Sequence, residues 1–304
     1  MSIRLPNLLI IGVTKAGTTS LFSYLTQHPQ ICGSTLKETE YFSRLVYPDA
    51  HLEPISTYER YFRHCRDERY VLEASPNYWY GGPRLFEATE ALLGRPRYVV
   101  SLRNPVDRFW SDFTYMKSKL LLDKDMSAQT FLDRCLELRK TGGDLKEEGR
   151  RFRTLSTGFY IDYLPEWISA VGSRSKIVFF EHLTTDPAAV VSELLSWLDL
   201  DAEPAGGFDF SERNPTINHR SAKLQQIANS YGNRARERLK RYPRSKELVS
   251  DIYYRINSAG ARSELLDTEI RLQLDDLYRD ANKQLRDELT INGYDRLPTW
   301  LADA

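Results

Sequence analysis

Short, continuous apolar runs alternate along this chain with longer stretches in which apolar residues recur every three or four positions. LLIIG at 8–12, the start of YVLEASPNYWY at 70–80, residues 98–102 and KIVFFEHL at 176–183 are apolar or β-branched runs of strand length. Such runs without alternation are the mark of strands buried on both faces. Each is followed by a helical pattern. Leu21, Phe22 and Leu25 predict a helix ending before Pro29, and Pro105 sits as the first residue of another. Residues 127–171 read as mostly helical, with GFYIDYLPEWISAV placing Tyr160, Leu164, Trp167 and Ile168 on one face. Asp186 and Pro187 open a helix over 186–200 as N-cap and first residue. TGGDLKEEGRR reads as a mobile surface connection, and the charged repeats of 262–289 read as the solvent face of C-terminal helices. Strands followed by helices through the first two hundred residues imply an α/β fold, a parallel sheet flanked by helices on both faces.

The first strand does more than fold. In GVTKAGTTSL it ends at Gly12, a loop carries Lys15, and Thr18, Thr19 and Ser20 open a helix. Unpaired N–H groups of a first helical turn and the positive end of its dipole form an anion site. Lys15, the N–H groups of Ala16 and Gly17, and the hydroxyls of Thr18, Thr19 and Ser20 are the candidate ligands. A Walker A loop would need lysine at position 18, after Gly12 and Gly17; threonine stands there and the lysine has moved to 15. The ordinary ATPase or GTPase reading therefore loses its phosphate-binding lysine.

Composition changes the picture little. Lys plus Arg and Asp plus Glu balance at 42 each in 304 residues, so no global positive field recruits nucleic acid or a polyanionic glycan. Three scattered cysteines, Cys32, Cys65 and Cys135, make no disulfide framework and no metal motif, so reduced thiols and no metal are expected. The opening apolar run enters the glycine loop directly, leaving no room for a signal peptide or membrane anchor, so the expected compartment is the cytoplasm. No repeat or low-complexity linker marks a second independent domain, so a single domain over 1–304 is expected, an α/β core at 1–210 followed by a covering loop and helices at 211–304.

Two further segments carry chemistry. RNPVDRFWS places Arg103 at the end of a strand and Ser111 about two turns into the next helix, where a guanidinium fork and a hydroxyl suit a second phosphate. Read alone, they are equally a surface ion-pair partner and an ordinary helix serine. KETEYF at 37–42 holds Glu38, which on its own is an exposed loop carboxylate.

Taken together and in this order, VTKAGTTS, KETEYF and RNPVDRFWS resemble the segments of sulfotransferases that use 3′-phosphoadenosine 5′-phosphosulfate (PAPS), in particular the heparan sulfate N-/O-sulfotransferase type and its bacterial relatives. The resemblance spans most of the chain. It implies a P-loop-like three-layer fold with a helical C-terminal part. It also implies sulfuryl transfer from PAPS to a hydroxyl or amine, leaving adenosine 3′,5′-bisphosphate, with no metal required. Glu38 is implied as the base that takes the acceptor proton and Lys15 as the cation on the bridging oxygen. Arg103, Ser111 and a later loop residue, Arg220, are implied at the 3′-phosphate. One departure stands out: Ala74 occupies the position where related enzymes often carry a lysine. Glu181 is implied as structural support, with His182 the reserve base. The acceptor, whether glycan, glycolipid or small metabolite, and the oligomeric state are not legible. Two rivals stay open at this point: a P-loop nucleotide kinase, against Thr18, and a non-catalytic nucleotide-binding protein, suggested by Ala74.

Overall fold

The computed structural model describes residues 4–46, 51–211, 218–219, 258–259 and 266–304. In chain order the elements are β1 (Leu8–Gly12), α1 (Thr18–Leu25), β2 (Ile31–Gly33), α2 (Ser56–Glu59), β3 (Tyr70–Ala74), α3 (Gly82–Leu93), β4 (Arg97–Leu102) and α4 (Pro105–Ser118). They continue with α5 (Ala128–Thr141), α6 (Leu164–Val171), β5 (Ser175–Phe179), α7 (Phe180–Thr185), α8 (Pro187–Trp197), β6 (Asn218–His219), β7 (Ser258–Ala259), α9 (Thr268–Ile291) and α10 (Thr299–Ala302). By contact density the chain divides into two compact units, 1–108 with 157–214 and 275–304, and 109–156 with 215–274.

The first unit holds a five-stranded sheet in the order β2-β3-β1-β4-β5, parallel throughout. The apolar runs become its strands because every residue of β1 and β3 is buried. Alternate side chains feed two cores. Leu8 and Ile10 of β1 meet Leu21 and Leu25 of α1 and Val191, Leu194 and Leu195 of α8. Leu9 and Ile11 meet the other core, which takes in Leu85 of α3, Trp167 of α6 and Leu285 and Leu289 of α9. This is the three-layer arrangement expected. Connections leave β1 and β4 toward opposite edges of the sheet, so the space above their carboxyl ends is the topological switch point where α/β proteins bind ligands.

The expected helix over 186–200 forms with Asp186 accepting from the Ala189 N–H at 3.0 Å. KIVFFEHL is a strand only to Phe179; from Phe180 the chain turns into α7. GFYIDYLPEWISAV likewise divides, a 3-10 turn over Tyr160–Asp162 and then α6 with Pro165 in its first turn. The C-terminal helix α9 is not merely a charged solvent face, since Leu274, Tyr278, Leu285 and Leu289 form a buried stripe along it.

In the second unit the rings of Phe131 and Phe113 pack with centroids 5.1 Å apart and Thr154 Oγ1 donates to Asp112 Oδ2 at 2.6 Å. The segment read as a surface connection forms two 3-10 turns, and its Asp144 is buried, accepting from the Ser156 hydroxyl. A short antiparallel pair joins β6 to β7.

The expectation of three reduced thiols is corrected: Cys32 and Cys65 form a disulfide with Cα atoms 5.7 Å apart, and Cys135 is a buried thiol outside it. The pair stands 33 positions apart in sequence. The chain leaves β2 after Cys32 and returns beside it to enter β3, so sheet pairing brings together what spacing does not. His64 joins them, its Nε2 lying 3.3 Å from Cys32 Sγ. With both sulfurs bonded to each other, this trio, the one such grouping among the described residues, offers no thiolate to a metal. Among the described residues no helix is long and apolar enough to cross a membrane.

Candidate active site

Strands β1 and β4 run into VTKAGTTS and RNPVDRFWS, and the third segment, KETEYF, follows β2 and is bonded to the carboxyl end of β3, the other neighbour of β1. After β1 the chain forms the loop 13–17 and enters α1 through Gly17, whose φ of 74° is left-handed. A side chain at Gly17 would meet the Phe180 ring at 2.9 Å, and one at Gly12 would meet Trp79 Cβ at 2.7 Å. Both glycines are therefore dictated by close approach, and Gly17 also by conformation. Lys15, too, takes a positive φ of 65°.

The loop is held from its carbonyl side. Ser101 Oγ donates to the Ala16 carbonyl at 2.6 Å, Arg103 Nη1 to the Lys15 carbonyl at 2.9 Å, and the Val13 N–H to the Ser101 carbonyl at 2.9 Å. Arg108, fully buried, approaches Thr14 Oγ1 at 3.5 Å. The Lys15 and Ala16 carbonyls are engaged, and the amides of the first turn of α1 have no intrahelical partners, the requirement for a phosphate cradle. Thr18 and Ser20 are buried at this turn, and Thr19 and Lys15 are half-buried.

Arg103 lies at the end of β4 as the sequence implied. Its guanidinium stacks 4.3 Å over the Phe180 ring, its carbonyl accepts from Tyr160 Oη at 2.8 Å, and burial pulls its pKa down from the ordinary arginine value. Asn104 Oδ1 caps the helix by accepting from the Val106 N–H at 2.9 Å, while the Asn104 N–H donates to Glu181 Oε1 at 2.8 Å. Glu181 is thus a support of the turn. His182 packs edge-on to Phe179 with centroids 5.5 Å apart. Ser111 is on α4, two turns beyond Arg103, in the stretch that belongs to the second unit. Arg220 lies outside the described residues.

Glu38 stands at the carboxyl edge of β3, its N–H bonded to the Ala74 carbonyl at 2.9 Å, and Ala74 pairs with Ile10 of β1. Its side chain is half exposed, and the cation beside it is Lys37, with Nζ 2.5 Å from Oε1. Ala74 itself is fully buried.

One residue of this site escaped sequence reasoning. Glu73, one position before the end of β3, is completely buried, and its carboxyl accepts from Ser75 Oγ at 2.6 Å and Thr39 Oγ1 at 3.1 Å. Burial pushes its pKa up to about 7, against the opposing pull of those hydrogen bonds. The available signal was a single acidic residue inside the apolar run YVLEA.

A glycine-bearing loop at the switch point of a parallel sheet, with an arginine just beyond the adjoining strand, defines the P-loop-like fold class. The family is narrower. The sulfotransferase domain model matches residues 5–286, and the chain belongs to that family. The chain is 30% identical over 207 residues to a Caenorhabditis briggsae bifunctional heparan sulfate N-deacetylase/N-sulfotransferase 1, covering 66% of this chain and 23% of that protein. It is 25% identical over 308 residues to the human bifunctional heparan sulfate N-deacetylase/N-sulfotransferase 3, covering 98% of this chain and 31% of that protein. It therefore spans about a quarter to a third of the length of these relatives. A sulfotransferase from Alicyclobacillus acidocaldarius shares the fold at a TM-score of 0.60 and 24% identity, over 76% of this chain and 93% of that one.

Proposed function

We propose that the protein transfers the sulfuryl group of PAPS to a hydroxyl or amine of an acceptor, releasing adenosine 3′,5′-bisphosphate. The observation that supports this most is the loop at 13–17: its carbonyls are engaged by Ser101 and Arg103, and Lys15 stands within it rather than at the Walker position. The N–H groups of Ala16, Gly17 and Thr18 and the hydroxyls of Thr18, Thr19 and Ser20 hold the 5′-phosphate end. Lys15 meets the charge that grows on the bridging oxygen as the S–O bond breaks. Arg103, Ser111 and Arg220 hold the 3′-phosphate. Glu38 takes the acceptor proton, which requires its carboxylate to come within about 3 Å of that atom. In-line positioning and charge stabilisation then supply the catalysis, by analogy with phosphoryl transfer, without a bound metal.

The family match runs through both compact units, which supports treating 1–304 as one catalytic domain. N-sulfation of heparan sulfate in the relatives' names supports the amine arm of the acceptor class, a glycan or glycolipid, although the balanced net charge gives no long-range pull on a polyanion. The cytoplasmic expectation rested partly on unpaired thiols, and the Cys32–Cys65 disulfide removes that premise. The test is a screen with labelled PAPS against amine and hydroxyl acceptors of sugar, lipid and phenol classes. Transfer to any of them with stoichiometric release of the bisphosphate supports the reading. Tight bisphosphate binding with no transfer to any acceptor or to water overturns it.

A further inference from the structure

We propose that Glu73 is a positioning residue for this reaction: from inside the core its carboxyl holds the loop at 37–42 in the one conformation that presents Glu38 at the edge of β3. The inference rests on the reading of Glu38 as the base.

The geometry is directional. Glu40 N–H donates to Ser75 Oγ at 3.1 Å, and an amide can only donate, so the Ser75 hydroxyl must send its own proton to Glu73, 2.6 Å away. Thr39 Oγ1 sends a second proton to the same carboxyl oxygen at 3.1 Å. The loop is also tied at each end, by the Glu38 N–H on the Ala74 carbonyl at 2.9 Å and the Phe42 N–H on the Tyr78 hydroxyl at 3.2 Å. Glu38 and Glu40 both take left-handed φ angles, 62° and 56°, without being glycine. Each such residue is strained and persists only where its surroundings over-determine it.

A buried carboxyl is otherwise a poor choice for a strand interior. An apolar residue would pack there without the desolvation cost, but it would leave the Ser75 hydroxyl without the acceptor at 2.6 Å and Thr39 Oγ1 with only the Tyr78 hydroxyl at 3.4 Å. The titratable groups around Glu73 are Glu40, on the loop, and Tyr58 and Tyr78, which pack against it from α2 and from the turn after β3. Among the described residues Oε2 has no hydrogen-bond partner, so a neutral acid with its proton on Oε2 can keep both hydroxyl contacts through Oε1. Ionisation near neutrality adds a negative charge beside Glu40 and two buried phenols.

The experiment compares Glu73→Ala and Glu73→Gln in the full chain. It reads release of labelled sulfate from PAPS to water, the affinity for adenosine 3′,5′-bisphosphate, and amide hydrogen exchange over 37–42. Glu73→Ala is expected to lower turnover about 10- to 100-fold and to speed exchange in the loop at least tenfold, with bisphosphate affinity within about twofold. Glu73→Gln keeps an acceptor oxygen and cannot ionise. It should restore turnover to within a few-fold of the parent and lack any dependence of kcat on pH near neutrality that the parent shows through Glu73. Parent-like turnover and exchange in Glu73→Ala, or a Gln variant no better than the Ala variant, overturns the proposal. If Glu73→Ala fails to fold, Ser75→Ala cuts the Glu40 tether alone and should lower turnover several-fold; no change overturns the proposal equally. Should Glu38→Gln leave turnover intact, the base assignment falls, while loop exchange still decides whether Glu73 holds the segment.

Discussion

The donor loop and the acceptor-side loop are built on opposite plans. The donor loop at 13–17 is contiguous in sequence, shaped by Gly17 and gripped through its carbonyls by Ser101 and Arg103 of one neighbouring strand. The acceptor-side loop at 37–42 has no glycine, carries two left-handed glutamates and is fastened by side chains drawn from Glu73, Ser75 and Tyr78. The proposed anion cradle is a backbone device, whereas Glu38, the proposed base, is placed by a buried polar network. Substitution should therefore separate them, with donor binding and turnover failing independently.

The largest effects come from the two chemical groups. Glu38→Gln should lower kcat by about 10²- to 10⁴-fold, the range of general-base catalysis, with bisphosphate affinity unchanged. Loss of binding alone would break the comparison by making Glu38 structural. Lys15→Ala should cost about 10²- to 10³-fold in PAPS turnover, as for removal of one transition-state charge partner, and also weaken bisphosphate binding; turnover unchanged would refute its role.

Smaller effects sharpen the contrast through stability. The Cys32–Cys65 bond closes a segment with a sequence separation of 33 that includes the whole acceptor-side loop and none of the donor loop. Its removal by Cys32→Ser with Cys65→Ser should cost roughly 2–4 kcal/mol, measured by denaturant unfolding under identical conditions. Donor affinity in the still-folded fraction should stay at the parent level.

Glu73 adds a pH dependence of the opposite sign to that of a salt-bridged carboxylate. Its folded pKa, about 7, lies above the ordinary value of 4.5. The folded state then holds the proton that the unfolded chain has lost. Its contribution is fully present below the unfolded pKa and disappears as pH rises from about 4.5 to 7, by up to about 3 kcal/mol. Glu73→Gln should flatten the unfolding free energy across that window. A parent curve that rises there, unchanged in the variant, would count against a buried neutral acid.

Legibility followed the same division. VTKAGTTS and RNPVDRFWS were readable because a phosphate cradle and a helix start each lie within one continuous stretch, where glycine, proline and hydroxyl spacing act locally. KETEYF was recognisable only through resemblance, since nothing in its own residues distinguishes Glu38 from an exposed carboxylate. Glu73 and the disulfide were missed for one reason: both depend on partners brought near by strand pairing, Thr39 to β3 and Cys65 to β2.

By itself the sequence determined four of the five strands of the parallel sheet, the glycine-bearing loop with Lys15 and the arginine after β4, because these depend on periodicity and on φ preferences of single residues, while β2, only three residues long, carried no such pattern. Only the tertiary structure decided that Glu73 is a buried acid, that Lys37 is the cation beside Glu38 and that two distant cysteines are bonded. Burial, desolvation and covalent pairing are properties of neighbours, and a parallel sheet chooses its neighbours from distant parts of the chain.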